Sequence, residues 1–548
     1  MEGRVFVIGI DGGEFSLVKD WIKKGKLPNL AEVMQSGSYG NLRSTIPPIT
    51  GAAWSSFQTG TNPGKHGAFN WFERMEDEYR AAPVTAASIK EPTLWKILNK
   101  LGRKTGMLGV PVTYPPENVD GFLVPGLLTP LRSDRAGRPE GIIDEICSID
   151  PDYKFSPKEW TRGYEPGEWV AELISDVEGR TEVIRHLMLN KDWDFMMAHF
   201  METDQVQHFM WDRAEEEGET PILDVYQAVD RAVGVIRESL EPEDTLYIMS
   251  DHGFGPLSYN FHIDTWLLKE GYIKLKNNPG TWIKQLGFKL GLTKETFYPV
   301  GEYMYPLLRK TGMLATAIQL ASNPWLDRFF LSSQNVDWSR SLAYSHSEIG
   351  HIYLNVKGRE PEGAIEPEDV PEVREELISR LKELDNPYTG KKIIGEIYRG
   401  EELYSGEEAE RAPDIVFLPA DLELLGKGAY NFVSHKTVSR AKAQSGHHRM
   451  EGLFLACGPQ IKEGVEIDTP HIMDLAPTIL YNMGLPLFEH MDGEVIEDIF
   501  RGDFLRENDF EFMRKEDLGF DDDDPDGGGN DDGGEEMVDR LKGLGYVS

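Results

Sequence analysis

Cysteine is nearly absent from this sequence. Its 548 residues include only Cys147 and Cys457, which do not form a C-x-x-C pair. A disulfide framework needs several cysteines and a thiolate metal cluster needs closely spaced ones, so the sequence predicts neither. Such low cysteine use is typical of a reducing compartment. We therefore expect the protein to be cytoplasmic.

Positively charged residues are also few relative to negatively charged ones. The chain has 57 Lys and Arg against 93 Asp and Glu, which gives a formal net charge of -36 at pH 7. Polyanions repel a chain this acidic, which argues against general affinity for nucleic acid polymers or anionic membrane surfaces. If the protein handles phosphate groups, it needs cations at the site that does so.

Long apolar runs are missing as well. No uninterrupted apolar segment approaches the roughly 20 residues that a membrane-spanning helix needs, so no transmembrane segment is predicted. The N-terminal run M-E-G-R-V-F-V-I-G-I-D-G-G has too short an apolar part for a signal peptide and predicts a buried strand. No repeat of solenoid period is visible, and one large core with insertions is the expected organisation.

What the sequence does contain is an alternation of strand and helix patterns. Hydrophobic residues make up 40% of the chain and aromatic residues 10%, as in folded proteins. Short apolar runs alternate with amphipathic segments of helical spacing, which predicts an α/β fold. The predicted strands are 4–11, 104–110, 193–200, 245–250, 341–355, 414–418 and the end of 444–457; the predicted helices are 17–36, 92–101, 165–190, 221–240, 371–384 and 468–484.

The chain divides by composition into four segments. Residues 1–272 and 336–505 carry the alternation and are predicted to form the two parts of one core. Residues 273–335 are rich in Lys, Trp, Phe, Tyr and Leu and are predicted to form a helical lid or cap. Their local positive balance leaves contact with an anionic substrate or a lipid surface as an alternative role. Residues 506–548 are predicted to be an acidic, glycine-rich linker followed by a short amphipathic segment.

One stretch, residues 44–69, combines prolines, small residues and a hydroxyl. Pro47 and Pro48 exclude a helix running through them, and Thr50 stands just before the helix-like run 53–57. A hydroxyl near a helix N-terminus lies beside N–H groups that favour an anion such as phosphate. The alternative is that Thr50 is merely an N-cap.

Further polar residues stand at or near the ends of predicted strands. They are Asp11, Asp204, His208, Asp251, His252 and either His447 or His448. Each alone has an ordinary explanation, because Asp caps helices, a D-x-x-x-H pair often forms a surface ion pair, and loop histidines are often solvated. Strand ends in an open α/β sheet share one edge, however, so this edge could bring the residues together.

The residue types indicate the chemistry of such a site. Carboxylates and imidazoles without thiolates suit zinc or manganese, and this set is large enough for two ions. Two metals about 4 Å apart can activate a nucleophile and stabilise the negative charge on the oxygens bonded to phosphorus. Thr50 would then be the nucleophile of a phosphoester hydrolase and form a covalent phospho-threonine intermediate that water later hydrolyses.

The order of these motifs resembles that of the alkaline phosphatase superfamily. The motifs are Asp11 after the first strand, T-G-A-A-W with T-G-T-N-P-G-K-H-G after it, E-T-D-Q-V-Q-H, S-D-H-G, and G-H-H-R-M-E-G followed by D-L-A-P-T-I-L-Y-N-M-G. Over about residues 5–495 the chain is most similar to the type I phosphodiesterase and nucleotide pyrophosphatase group, especially its phosphohydrolase and phosphomutase members. The resemblance implies a central, mostly parallel sheet flanked by helices, with a helical insertion.

The resemblance also implies how the residues divide between two divalent ions. One ion would be bound by Asp204, His208 and His448, and the other by Asp11, Thr50, Asp251 and His252. His448 is preferred to His447 because it directly precedes the R-M-E-G continuation that matches the family. We expect zinc, with manganese as the alternative.

Two departures from the family pattern bear on the activity. Nucleotide phosphodiesterases of the family carry an asparagine three residues after the nucleophile, where this chain has Ala53, which argues against nucleotide diesters. The sulfatase motif C/S-x-P-x-R does not surround Thr50, so a sulfatase is not expected. We predict a phosphodiesterase acting on a small-molecule or lipid-linked phosphoester, with oligomer formation left open. The alternatives are a phosphomutase or phospho-group transferase and a catalytically silent binding protein.

Overall fold

The computed structural model describes most of the chain. The described residues are 3–75, 78–130, 136–158, 160, 165–213, 220–293, 329–345, 349–420, 422–428, 432–442 and 444–520. None of the helices in these ranges has the length and apolar character needed to cross a membrane.

The strands and helices of the described residues are numbered in chain order. The strands are β1 Val5–Ile10, β2 Ser38–Arg43, β3 Phe72–Arg74, β4 Ala81–Pro83, β5 Thr105–Val110, β6 Gly121–Pro125, β7 Phe195–Phe200, β8 Thr245–Met249, β9 Gly253–Pro256, β10 Tyr259–His262, β11 Ala343–Tyr344, β12 His351–Leu354, β13 Ile394–Arg399, β14 Ile415–Pro419, β15 Leu424–Lys427, β16 Val438–Arg440, β17 Gly446–Arg449, β18 Glu451–Cys457, β19 Val465–Glu466, β20 Leu487–Phe488 and β21 Phe512–Met513. The α-helices are α1 Phe15–Lys23, α2 Pro28–Ser36, α3 Thr50–Thr59, α4 Pro63–His66, α5 Leu94–Lys100, α6 Ile142–Ile149, α7 Pro166–Asn190, α8 Glu202–Met210, α9 Pro221–Glu238, α10 Ile263–Glu270, α11 Pro279–Lys289, α12 Val370–Lys382, α13 Gly400–Leu403, α14 Leu475–Asn482 and α15 Gly502–Glu507.

An eight-stranded sheet forms the centre of the fold. Its strand order is β19-β2-β18-β8-β1-β7-β5-β6, and the strands from β8 to β6 all run parallel. Strand β18 runs antiparallel to both of its neighbours, β2 and β8. In register, Ile8 of β1 pairs with Ala198 of β7 and with Ile248 of β8. The predicted α/β fold with a central, mostly parallel sheet is confirmed.

Alternate residues of β1 enter hydrophobic cores on opposite faces of the sheet. The whole strand V-F-V-I-G-I is buried, as expected for a central parallel strand covered on both faces. Phe6 and Ile8 pack in one core with residues of α1, α2, α7 and α9. Val5 and Val7 pack in the other with residues of α3, α5 and α14. The alternation of side-chain direction along the strand thus gives helices on both faces of the sheet.

A separate hydrophobic core is built by residues between Phe261 and Val438. It includes two smaller sheets, with strand orders β15-β10-β16 and β11-β12-β14-β13. Of the predicted insertion 273–335, α11 is described, and residues 294–328 lie outside the described residues. The predicted tail lies outside them from residue 521 onward. The division of the chain into four segments stays a prediction.

Two predicted helices differ from the helices that form. The segment 17–36 is broken into α1 and α2, because Pro28 starts the second helix and Leu27 before it leaves helical geometry, with φ of -126° and ψ of 73°. In the segment 468–484 the α-helix is confined to α14, after a short 3₁₀ turn at Ile472–Asp474. Most of the other predicted elements lie within a few residues of observed ones.

Truncation of a central leucine tests how far stability depends on this sheet. Leu455 of β18 is fully buried, whereas Leu189 near the end of α7 is 63% exposed. Leu455→Ala should lower the free energy of unfolding by about 2–5 kcal/mol, because loss of a buried leucine leaves a cavity. The same change at Leu189 should stay within about 0.5 kcal/mol of wild type. Denaturant unfolding of the three proteins measures this difference, and equal losses would contradict it.

Candidate metal centre

Asp11 lies at the carboxyl end of β1, where the chain turns away from the sheet. Gly12 makes this turn with φ of 64°, and a β-carbon there would lie 2.9 Å from the ring of Phe254, so only glycine fits. Oδ2 of Asp11 accepts a hydrogen bond from Nε1 of Trp54 at 3.1 Å and lies 2.8 Å from Nε2 of His199. These two partners hold a fully buried carboxylate in one orientation.

Thr50 is the first residue of α3 and is fully buried. The N-cap is Ile49, whose side chain cannot accept a hydrogen bond, so the alternative explanation of Thr50 as an N-cap is wrong. The first N–H groups of an α-helix have no carbonyl partner within the helix and favour an anion. Oγ1 of Thr50 lies 3.1 Å from Nε2 of His252, which places the hydroxyl next to the strand ends.

Asp251 and His252 fill the gap between β8 and β9. Adjacent side chains of a regular strand point apart, but the strand is broken here and both reach the same place. Oδ1 of Asp251 accepts a hydrogen bond from the backbone N–H of Gly12 at 3.2 Å. Nε2 of His252 lies 3.2 Å from Oδ2 of Asp251 and 3.7 Å from Oδ1 of Asp11.

Asp204 and His208 lie one turn apart on α8, which directly follows β7. Oδ1 of Asp204 is 3.4 Å from Nε2 of His208 and 3.4 Å from Nε2 of His448. The two histidine Nε2 atoms are 3.2 Å apart. His448 reaches them from β17, which pairs with β9 and so returns the chain to this edge of the sheet.

The seven residues predicted from the sequence are thus brought together in one buried place. Potential ligand atoms of Asp11, Asp251 and His252 all lie within 4.8 Å of one another, and those of Asp204, His252 and His448 do so as well. Because His252 belongs to both groups, the two groups adjoin. A third group of this kind contains His447 with His208 and His448. The assignment of these residues as metal ligands stays a prediction.

The hydrogen bonds of the histidines fit a divalent cation. In each of three rings Nδ1 contacts a backbone carbonyl oxygen: His208 with Gly446 at 3.2 Å, His252 with Gly253 at 3.0 Å, and His448 with Pro48 at 2.9 Å. A carbonyl only accepts, so the proton belongs on Nδ1 and Nε2 presents its lone pair to the cluster.

The carboxylates fit a cation as well. Among the described residues, no hydrogen-bond donor contacts Oδ1 of Asp11 or Oδ2 of Asp251, although both atoms are buried. Buried polar atoms are normally satisfied, so each such atom needs an explanation. Carboxylate oxygens and imidazole nitrogens are the ligands that zinc and manganese take in proteins.

Electrostatics in the cluster also favour a bound cation. Burial raises the pKa of Asp11 well above its usual value, and repulsion from Asp251 raises it further. Burial likewise raises the pKa of Asp251. Burial alone would raise the pKa of Asp204 too, but attraction from His208 and His448 outweighs it and holds this pKa below its usual value. Burial lowers the pKa of His208 to about 4, so this ring is neutral and available as a ligand at neutral pH.

Two residues that orient Asp11 were not predicted. The rings of Trp54 and His199 pack edge to face with centroids 4.9 Å apart, and both contact the Asp11 carboxylate. Trp54 ends the T-G-A-A-W motif, and its spacing of four from Thr50 could have placed the two on one helix face. His199 lies inside the apolar strand β7, where the sequence pattern gives no sign of a polar role.

A buried ion pair anchors α8. Nη1 of Arg180 in α7 donates to both carboxylate oxygens of Glu202 at 2.9 and 3.0 Å, and the two side chains are 5% and 0% exposed. The same nitrogen donates to the backbone oxygen of His199 at 3.3 Å. Glu202 lies two residues before Asp204. The pair therefore connects the helix that carries Asp204 and His208 to α7 and to β7.

Ligand groups for two divalent cations beside a buried hydroxyl are the arrangement with which two-metal enzymes carry out in-line displacement at phosphorus. The fold and the site together therefore define a metal-dependent phosphoester hydrolase. The family follows from direct comparison, since the model of the type I phosphodiesterase / nucleotide pyrophosphatase family matches residues 5–423. The chain belongs to this family, and the predicted resemblance is confirmed.

Solved structures similar to the chain were also found. Human ectonucleotide pyrophosphatase / phosphodiesterase 5 is 12% identical, with a TM-score of 0.48, and the match covers 91% of this chain and 100% of that one. An inactive variant of murine ectonucleotide pyrophosphatase / phosphodiesterase 5, in complex with AMP, is 13% identical at the same coverage and TM-score. A search of curated protein sequences found no match.

Removal of divalent cations should destabilise the protein. Without a cation, burial and mutual repulsion disfavour the charged carboxylate of Asp11. A ligand that binds only the folded state at 100 times its Kd adds about 2.7 kcal/mol to stability. We expect dialysis against a chelator to lower the thermal midpoint, added Zn²⁺ to restore it, and Asp251→Asn to weaken this response. A wild-type midpoint that does not respond to chelation would count against a metal centre here.

Replacement of Arg180 should lower the free energy of unfolding more than replacement of an exposed arginine. Arg180→Met leaves the carboxylate of Glu202 buried without its partner, which should lower the free energy of unfolding by about 3–5 kcal/mol. The control is Arg231→Met, which breaks an ion pair with Glu178 whose side chains are 56% and 59% exposed. Such a pair contributes at most about 1 kcal/mol. Similar losses in both variants, measured by denaturant unfolding, would show that the buried pair does not anchor α8.

Proposed function

We propose that the protein is a phosphodiesterase in which Thr50 is the nucleophile. The observation that carries this proposal is the position of the hydroxyl. Oγ1 of Thr50 is buried at the start of α3 and lies 3.1 Å from Nε2 of His252, inside the cluster of carboxylates and histidines. An unassisted threonine hydroxyl is a weak nucleophile, and this setting supplies the assistance that it needs.

His252 lies next to the hydroxyl in a defined orientation. Its Nδ1 contacts the carbonyl oxygen of Gly253, so its Nε2 carries the lone pair that faces Oγ1 of Thr50. Burial holds the pKa of His252 well below its usual value, which keeps the ring neutral at neutral pH. Oγ1 and Nε2 therefore face each other, as two ligands of one cation would.

The proposed reaction has two displacement steps. In the first, Oγ1 of Thr50 forms a bond to phosphorus as the bond to the leaving alkoxide breaks, and the proton lost by the threonine hydroxyl passes through water to the alkoxide. In the second, water attacks the phospho-threonine, the phosphomonoester is released, and the threonine regains its proton. The first N–H groups of α3 donate to the phosphoryl oxygens in both steps.

We infer that two divalent cations, preferably zinc, are held by the residues of the cluster. One would be held by Asp204, His208 and His448. The other would be held by Asp11, Thr50, Asp251 and His252. When bound, the cations lower the pKa of the nucleophile and stabilise charge on the phosphoryl and leaving oxygens. Imidazole nitrogens favour zinc, whereas a site made of oxygen ligands alone favours magnesium or manganese.

The residue three positions after Thr50 does not decide the substrate class. Ala53 is fully buried in the hydrophobic core with Trp54 and Phe57. A side chain at this position faces the core, so it could not hold a phosphate oxygen whatever its identity. Nucleotide diesters therefore stay among the candidate substrates, next to other small-molecule and lipid-linked phosphodiesters.

Replacement of Thr50 tests the proposed nucleophile. Thr50→Ala should lower kcat/KM for bis(p-nitrophenyl) phosphate by at least about a thousandfold, because no hydroxyl remains to form the intermediate. Thr50→Ser should keep measurable activity. The matched control is Thr59→Ala on the same helix, whose hydroxyl bonds to Ser55 and Thr61, and which should stay within a few-fold of wild type. Wild-type turnover by a folded Thr50→Ala protein would rule out this nucleophile.

Product analysis separates hydrolysis from phosphoryl transfer. Acid-quenched wild-type enzyme should carry one added phosphoryl group that keeps the second ester substituent of the diester, and peptide mapping should assign it to Thr50. A hydrolase releases the alcohol and a free phosphomonoester, whereas a phosphomutase or transferase returns the phosphoryl group to an organic acceptor. Mass spectrometry of the products, with and without an added alcohol, distinguishes the two reactions.

A further inference from the structure

His447 is a buried histidine that the proposed mechanism does not use. It lies on β17 next to His448 and is 9% exposed. Neither of its ring nitrogens has a hydrogen-bond partner within the part of the chain that the structure describes. A buried polar group without a partner costs about 1–3 kcal/mol, so the position of this side chain needs an explanation.

The ring of His447 lies against the other histidines of the cluster. It stacks on His448 with centroids 4.6 Å apart and an interplanar angle of 14°, and its centroid is 5.8 Å from that of His208. Neighbouring residues of a regular strand normally point to opposite faces, yet these two rings stack on each other in a strand that pairs regularly with β9. One ring nitrogen from each of the three histidines lies within 4.8 Å of the others.

Hydrogen bonds from Arg449 hold the backbone that carries these rings. Nη1 of Arg449 donates to the carbonyl oxygens of His447 and His448 at 3.2 and 2.9 Å, and its Nη2 donates to the carbonyl oxygen of Pro256 at 2.6 Å. These bonds fix the direction of β17 against β9. They therefore hold the backbone that carries the two histidine rings in a defined position.

We propose that His447 is a further ligand of the cation that Asp204, His208 and His448 hold, and that this third imidazole makes the position selective for zinc over manganese. The inference rests on the metal centre of the proposed function. Without His447 the position has two nitrogen ligands and one oxygen ligand. With His447 it has three nitrogen ligands and one oxygen ligand. Zinc favours imidazole, while manganese favours carboxylate and water, so the added nitrogen raises the affinity for zinc more.

Metal affinity measured without turnover tests the inference. Wild type and three variants, His447→Ala, His447→Asp and His490→Ala, are freed of metal and equilibrated with buffered Zn²⁺ or Mn²⁺, and the bound metal is measured. His490 is the matched control, since its ring nitrogens are also buried without a partner in the described residues. It contacts α4, where the amine of Lys65 donates to its carbonyl oxygen at 2.7 Å.

Loss of His447 should weaken one of the two zinc sites selectively. In His447→Ala the free Zn²⁺ needed to half-fill that site should rise by about tenfold or more, with a smaller change for Mn²⁺. His447→Asp replaces nitrogen by oxygen and should narrow the preference for Zn²⁺ over Mn²⁺. His490→Ala should match wild type for both metals. The visible spectrum of the Co²⁺-loaded protein should also change in both His447 variants and not in the control.

Two contrary results have different meanings. If wild type binds two zinc ions and both His447 variants keep wild-type affinities and Co²⁺ spectra, His447 is not a ligand, and the proposed function is unaffected. If wild type itself binds no divalent cation, both the inference and the proposed function fail. Should His447→Ala not fold, as judged by circular dichroism, the change of metal preference in His447→Asp decides alone.

Discussion

The structure depends on the crowding of buried carboxylates at one edge of a parallel sheet. Asp11 and Asp251 follow the adjacent strands β1 and β8, and Asp204 begins the helix after β7, so the order of the strands forces them together. Each is fully buried, and burial with mutual repulsion raises the pKa of Asp11 and Asp251. An arrangement that is unfavourable for the protein alone becomes favourable when divalent cations occupy it.

Several candidate ligands of the cluster are held by partners from other elements. Trp54 and His199 orient Asp11, and the pair of Arg180 and Glu202 fixes the helix that carries Asp204. The histidines are oriented through backbone carbonyls on their Nδ1 side. Such outer contacts decide which nitrogen faces the metal and how much the ligands can move. The precision of the centre therefore comes from the packing of several elements and not from the ligands alone.

The acidic charge of the chain gives this centre a second role. With a net charge of -36, the protein as a whole repels the anionic phosphoesters of its reaction class. Attraction would have to come from the candidate site, where the N-terminus of α3 is positive and divalent cations would add to it.

The sequence by itself determined the α/β alternation, the apolar strand β1, the helical spacing of Asp204 and His208, and the family. These features are local, because they depend on periodicity and on short motifs. It could not reveal the role of His199 or the face that Ala53 presents, nor whether His447 accompanies His448 in the cluster. Only the tertiary structure decided these, because they depend on strand pairing between residues up to hundreds of positions apart, such as β17 with β9 and β1 with β7. The type of each side chain follows directly from the sequence, but the packing of the whole chain decides which side chains are in contact.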